Sequence, residues 1–348
     1  MHNTRGVLLA GILFFIGATF GFSHNWYMSG LFGSHIRAMS KEKRLVMFRN
    51  IGMRVSPVRL RDVLLAIYPD QPAEEHELAH LIGETAYAKF GTSGFRYCDS
   101  VFTFACYHGV ILAAIRAHGY EQSVLLELAS GCEKAGKNRT ADISCAHGIG
   151  HGLMWVRNYD MLQSFQACDG VFEKDSELRF FCWDGVSMEN VVRRGNLPNG
   201  MAVNPMDPKD KFAPCDTFPA QYQPACVREH VFLARLVFYN RDTVQTSGYC
   251  MHYKAEDVRN QCFGAIGGAL YQDDPQTPDR IIIECGKVPS QYYLYCIGVA
   301  SRQYSFSGRA DMATRLCEAL ETSQQVACIK GVKDAKDSLY TVNATQMQ

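Results

Sequence analysis

Fourteen cysteines fall along the chain as seven couples: Cys98 with Cys106, Cys132 with Cys145, Cys168 with Cys182, Cys215 with Cys226, Cys250 with Cys262, Cys285 with Cys296, and Cys317 with Cys328. Gaps inside the couples are 7, 12, 13, 10, 11, 10 and 10 residues, and gaps between them 25, 22, 32, 23, 22 and 20, so short and long alternate without exception. An even count at regular spacing reads as a disulfide framework with each couple bonded internally. No CxxC occurs, which argues against thioredoxin-like redox chemistry, zinc ribbons and haem attachment. The body is therefore expected in an oxidising compartment, the periplasm or the cell exterior.

The spacing also constrains the fold. The chain reads CYHGVILAAIRAHG then YEQSVLLELASGC from Cys106 to Cys132, and CAHGIGHGLMWVRN then YDMLQSFQAC from Cys145 to Cys168. Each stretch holds two apolar helical segments broken at Gly119 or Asn158, residues suited to a left-handed position after a helix end. Each is read as a helical hairpin. Short gaps such as EKAGKNRTADIS are read as polar loops between hairpins, closed by disulfides that require Cα atoms within about 7 Å. Second cysteines recur every 32–44 residues, the period of stacked helix pairs. The expected fold is all-α: stacked helical-hairpin repeats, an open α-solenoid or a closed α/α toroid, stapled by seven local disulfides. In general plan the stretch 98–331 resembles cysteine-bridged helical-repeat proteins related to the tetratricopeptide repeat, although that repeat's Trp, Leu, Gly and Tyr signature is absent. It is also similar to closed α/α toroids, whose inner helices begin with short Gly-containing motifs.

Aligning the repeats on their second cysteines exposes a candidate site. Two residues later stand His108, His147, Asp184, Arg228, Gly264, Gly298 and Lys330, and glycine follows at Gly109, Gly148, Gly185 and Gly331. A cysteine-free copy precedes them, because His80 lies as far before Gly91 as His108 before Gly119. Four successive helices thus carry His80, His108, His147 and Asp184 at one equivalent position, read as the first turn, and these side chains should converge. His76 and His151 lie four residues from His80 and His147 and share their helical faces. Such a set suits a divalent metal: zinc, iron, copper or manganese. The competing role is structural, with Asp184 capping its helix and the histidines filling tight contacts. Glu189, Glu229 and His230 are less regular and are read as structural.

The segment His76-Glu77-Leu78-Ala79-His80 matches HExxH and resembles the zincin metallopeptidases on those five residues. That resemblance implies His76 and His80 as zinc ligands and Glu77 as the group polarising the attacking water. The HxxGxxH extension and the Met-turn are absent, and Glu77 has no counterpart in the other repeats.

The amino terminus carries a membrane signal. Gly6–Ser23 is an uncharged apolar run followed by Trp26 and Tyr27, read as an uncleaved signal anchor within residues 1–30. Residues 31–58 form a basic juxtamembrane segment expected to lie on anionic headgroups, against the usual charge bias; residues 59–337 form the repeat domain, and 338–348 a flexible tail. With 35 basic and 35 acidic side chains there is no basic field for nucleic acid. A protein or peptide on the concave face remains the expected partner if the array is a binding scaffold. Asn196–Pro224 holds six of the twelve prolines and is read as an irregular insertion. Asn138 and Asn343 head glycosylation sequons.

Overall fold

The computed structural model describes residues 31–69, 75–99, 101–119, 121–135, 139–193 and 209–340. Among them every regular element is helical and there is no strand. The α-helices are α1 (Leu31–Arg37), α2 (Lys41–Gly52), α3 (Pro57–Ile67), α4 (His76–Phe90), α5 (Val101–His118), α6 (Gln122–Ala135), α7 (Arg139–Val156) and α8 (Met161–Val171). They continue with α9 (Ser176–Arg193), α10 (Gln223–Val237), α11 (Thr243–His252), α12 (Glu256–Asp273), α13 (Pro278–Cys285), α14 (Tyr293–Phe306), α15 (Ala310–Glu318) and α16 (Thr322–Tyr340). A 3-10 helix, Gly91–Tyr97, stands between α4 and α5. The anchor run, the sequons at Asn138 and Asn343 and the last residues of the tail lie outside the described residues. No described helix is long and apolar enough to cross a membrane.

Local chemistry sets the helix ends. Asp160, Asp175 and Asp242 accept hydrogen bonds from the amides of Gln163 (3.0 Å), Leu178 (3.0 Å) and Gln245 (2.7 Å) at the starts of α8, α9 and α11. Each such cap contributes about 1 kcal/mol. At the ends of α5 and α7 the chain turns through left-handed backbone at Gly119 (φ +74°) and Asn158 (φ +50°), the two residues that the sequence singled out. Asn240 and Gly308 do the same after α10 and α14.

All seven couples are disulfides, with Cα–Cα distances between 5.2 and 5.9 Å. Their setting differs from the expectation of bridged loops. Cys132 lies in α6 and Cys145 in α7, so most of EKAGKNRTADIS is helix. That stretch is polar because it is amphipathic: Arg139 pairs outward with Asp175 and Glu177 while Ala141 is buried. The same holds farther along the chain. Cys262 is the seventh residue of α12 and is bonded to Cys250 in α11, and Cys328 is the seventh residue of α16 and is bonded to Cys317 in α15, both with Cα atoms 5.6 Å apart. Cys262 is fully buried, whereas Cys328, in the last described helix, is only partly so. These second cysteines sit inside their helices, beyond the first turn that the sequence suggested, and the position two residues further on lies deeper still.

Eight long helices among the described residues, α4, α5, α7, α9, α10, α12, α14 and α16, pack side by side in chain order. The intervening elements, from the 3-10 helix through α6, α8, α11, α13 and α15, connect them and carry most of the first cysteines. Helices far apart in the series also touch. Helix α16 contacts α7, and the ring of Phe104 in α5 meets that of Phe306 in α14 at 5.6 Å. Three pairs approach especially closely: a Cβ on Gly83 would stand 2.0 Å from the Cys106 carbonyl oxygen, one on Gly150 2.1 Å from that of Cys182, and one on Gly267 1.9 Å from that of Cys296.

The basic segment 31–58 is helical and packs on the body. Ile36 and Phe48 are buried, and α2 and α3 lie against α4. Arg37 donates to the Ile67 carbonyl, Arg44 pairs with Glu75 and Tyr68, and Arg49 lies 3.3 Å from Glu84. These charges have partners within the chain, and the expected boundary near 58/59 falls inside α3. The proline-rich insertion, where described, contains two single-turn 3-10 helices before α10, as its irregular reading anticipated.

Candidate metal centre

Helix α4 presents His76 and His80 one turn apart, α5 presents His108, α7 presents His147 and His151, and α9 presents Asp184. The glycine after His108 or Asp184 is what allows the neighbouring backbone to come close. A Cβ on Gly109 would stand 2.0 Å from the His80 carbonyl oxygen, and one on Gly185 1.9 Å from that of His147. The five imidazoles form one continuous cluster. Ring centroids are 4.8 Å apart for His76/His80, 5.1 Å for His76/His108, 5.6 Å for His80/His108, 5.0 Å for His108/His151, 5.6 Å for His108/His147 and 4.8 Å for His147/His151. Asp184 extends the line, its Oδ2 3.2 Å from His147 Nδ1. His147 and Asp184 are each the ninth residue of their helices. Asp184 is therefore a mid-helix side chain facing the cluster, not a cap.

Hydrogen bonding orients three of the rings alike. His76 Nδ1–H donates to the Phe102 carbonyl oxygen at 2.7 Å, His147 Nδ1 faces Asp184, and His151 Nδ1–H donates to Glu189 Oε2 at 2.8 Å. The other Glu189 oxygen accepts from Trp155 Nε1–H at 2.8 Å. An imidazole whose Nδ1–H is held by an acceptor turns a lone pair on Nε2 toward the opposite side. His147 Nε2 and His151 Nε2 stand 3.0 Å apart, and His76 Nε2 is 3.1 Å from His108 Nδ1. Two groups result, His76/His80/His108 and His108/His147/His151, each with its ligand atoms within 4.8 Å of one another. Either can hold a metal ion.

Burial decides the charge state. It pushes the His76 imidazolium down to about 4, and it drives His108 well below the ordinary histidine value with help from the neighbouring imidazoles. Burial also lowers His147, although Asp184 opposes the shift. Neutral imidazole is the metal-ligating form. Beyond them lies a carboxyl pair of unlike character. Burial opposes ionisation of Asp184, but Arg228, whose Nε is 3.2 Å from Oδ1, and His147 hold it below the usual carboxylate range. Glu229 is driven well above that range by burial and then by Asp184.

Glu77 is not brought into the cluster. Its side chain is half exposed and forms an ion pair with Lys41 on α2, so the motif histidines and the motif glutamate face different ways. A third group, Cys215, Cys226 and His230, has suitable spacing but no thiolate, because its cysteines are joined in a disulfide. His230 Nδ1–H donates to the Cys226 carbonyl at 2.9 Å and Nε2 accepts from Asn190 at 3.1 Å, the structural role expected for it. Glu189 has a larger part than its structural reading gave it. It sits one residue beyond the repeat equivalent of His151, a register signal obscured by that single-residue offset.

Comparison with known families, with curated proteins and with solved structures finds no match to this chain. Its chemistry is therefore read from its own residues.

Proposed function

We propose that the histidine cluster binds a divalent metal, with zinc the first candidate and copper or iron next, and that the protein acts through this centre. The observation that carries the reading is the 3.0 Å approach of His147 Nε2 to His151 Nε2, with Nδ1 of both rings turned to carboxylates. Two facing lone pairs at that distance repel unless a metal ion or a shared proton lies between them, and burial disfavours the proton on the His147 side. An all-imidazole set with carboxylates behind it is the donor chemistry of zinc and copper more than of manganese, which prefers oxygen. A bound divalent ion of this kind supplies Lewis acidity or a water of lowered pKa.

The protein's own groups divide the remaining work. Asp184 and Glu189 hold the Nδ1 side of His147 and His151 and so fix Nε2 as the nitrogen that would face an ion. Glu229, whose carboxyl burial and Asp184 push toward the protonated form, stands beside Asp184 where it could supply a proton. Buried carboxyls beside the imidazoles suit a metal-dependent hydrolase or oxidoreductase, and a non-enzymatic binding scaffold with a structural ion is the alternative reading. Side-by-side packing of the long helices, together with the α5/α14 and α7/α16 contacts, supports a closed toroid of helical repeats over an open arc. The disulfide framework supports an extracytoplasmic body, and the apolar run Gly6–Ser23 is the proposed membrane anchor.

The test is metal content and affinity of the oxidised, full-length protein. A structural zinc site is worth about 10–16 kcal/mol over its ligands, roughly 3 kcal/mol each, so His147→Ala and His151→Ala should each weaken binding on the order of 100-fold. Wild-type protein that binds no divalent metal, or variants that bind as tightly as the parent, would sink the proposal.

A further inference from the structure

The five histidines outnumber the ligands that one tetrahedral ion takes, and they are not arranged around one point. We propose that the centre is dinuclear, with His108 shared between two metal ions. This rests on the metal-centre reading above and goes beyond it.

Three observations carry the inference. First, the two candidate groups of three have only His108 in common. Second, the His108 ring lies between the two histidine pairs. Its Nδ1 is 3.1 Å from His76 Nε2, while its centroid is 5.0 and 5.6 Å from those of His151 and His147. The two nitrogens of an imidazole point to opposite sides of the ring, so with Nδ1 toward His76, Nε2 is the nitrogen left for His147 and His151. Zinc–nitrogen bonds are about 2.0–2.1 Å, so two ligands of one bound ion lie at most roughly 4 Å apart, and the atoms of each trio, within 4.8 Å of one another, need only small ring movements to close on an ion. An ion held by His76 Nε2 and His108 Nδ1 would thus leave His108 Nε2 for a second ion with His147 and His151.

Third, the helices themselves are doubled. The α4/α5 and α7/α9 pairs share reciprocal glycine contacts. Gly83 and Gly150 lie against the carbonyls of Cys106 and Cys182, and Gly109 and Gly185 against those of His80 and His147. His80 and His147 therefore occupy equivalent places in two copies of one helix pair, and His108 occupies in the first copy the place of Asp184 in the second. The first ion would be held by His76, His80 and His108, the second by His108, His147 and His151. Each has three protein ligands and one position for water or substrate, the coordination of catalytic rather than structural zinc. With both nitrogens bound, His108 is an imidazolate; its single N–H proton passes to solvent and no redox change is involved.

Zinc alone, titrated into metal-stripped, oxidised full-length protein and read by equilibrium dialysis with elemental analysis, decides the matter. Two ions per chain are expected. One ion per chain overturns the dinuclear proposal and leaves the metal-centre reading standing; none overturns that reading itself. Wild-type stoichiometry needs no variant to fold. His80→Ala and His151→Ala should each retain one ion, and a variant that keeps two or loses both contradicts the assignment. Copper(II) supplies a second readout. Wild type loaded with two equivalents should show the paramagnetic resonance of two coupled spins, and each variant that of an isolated ion; uncoupled spins in the wild type overturn the shared ligand.

Discussion

A Cβ on Gly150 in α7 would stand 2.1 Å from the Cys182 carbonyl oxygen of α9, and a Cβ on Gly267 in α12 would stand 1.9 Å from that of Cys296 in α14. In both pairs the second helix is stapled to the connecting helix before it, α8 to α9 by Cys168–Cys182 and α13 to α14 by Cys285–Cys296, and both glycines fall three residues after the aligned position. Yet that position holds His147 in α7 and Gly264 in α12, and Asp184 in α9 against Gly298 in α14. Close helix packing of this kind therefore does not require the histidines. In α12/α14 the space is filled by Val299 against Gly264 and Gly268, an ordinary apolar solution. The imidazoles and carboxylates of the first half are additions to a scaffold that stands without them in the second, which weakens a purely packing role for the cluster.

The largest effect that would sharpen this contrast is on stability. Gly185→Ala drives a methyl into the His147 backbone and should cost about 3 kcal/mol, whereas Gly298→Ala, with nothing within 4 Å, should be neutral or slightly stabilising. Chemical denaturation measures both, and equal costs would show that the two pairs are not packed as described. Next comes the staple shared by both regions. Cys285→Ser with Cys296→Ser should remove about 2–3 kcal/mol by the loop-entropy argument while leaving metal affinity intact. Proteolytic cuts appearing first in α4–α7 instead of α12–α16 would contradict local transmission through the array.

Removing an oriented carboxylate should be felt only in the histidine half: Glu189→Gln is expected to lower metal affinity about 10–100-fold, and unchanged affinity would detach Glu189 from the site. Acid should separate the halves too. Because burial holds His76 at about 4, below an unfolded value of about 6.5, its neutral form contributes stability present above about 6.5 and lost as pH falls toward 4. Hydrogen exchange of the metal-free protein should therefore show α4 and α5 loosening through that window before α12 and α14. The smallest effect is at Glu77. Its pair with Lys41 is exposed, so Glu77→Gln should change stability by less than about 1 kcal/mol and leave metal bound. Loss of turnover with metal retained would revive the zincin assignment.

Cysteine spacing by itself determined the disulfide pairing, because a loop of about a dozen residues closes through chain connectivity and needs no distant partner. Gly119 and Asn158 were equally legible, since a left-handed break is a property of the residue and its immediate neighbours. Alignment of the repeats picked out His80, His108 and His147, and helical spacing added His76 and His151, whose rings stand beside them. What the sequence misplaced was depth: polar stretches before second cysteines such as Cys145, Cys262 and Cys328 looked like loops, and only contact with the preceding helix makes them amphipathic faces, moving His147 and Asp184 from first turn to mid-helix. Tertiary structure alone decided the rest. Glu189 meets His151 across 38 residues, Phe102 turns its carbonyl to His76, and Lys41 draws Glu77 outward, so ring orientation and charge state depend on groups that no local pattern joins.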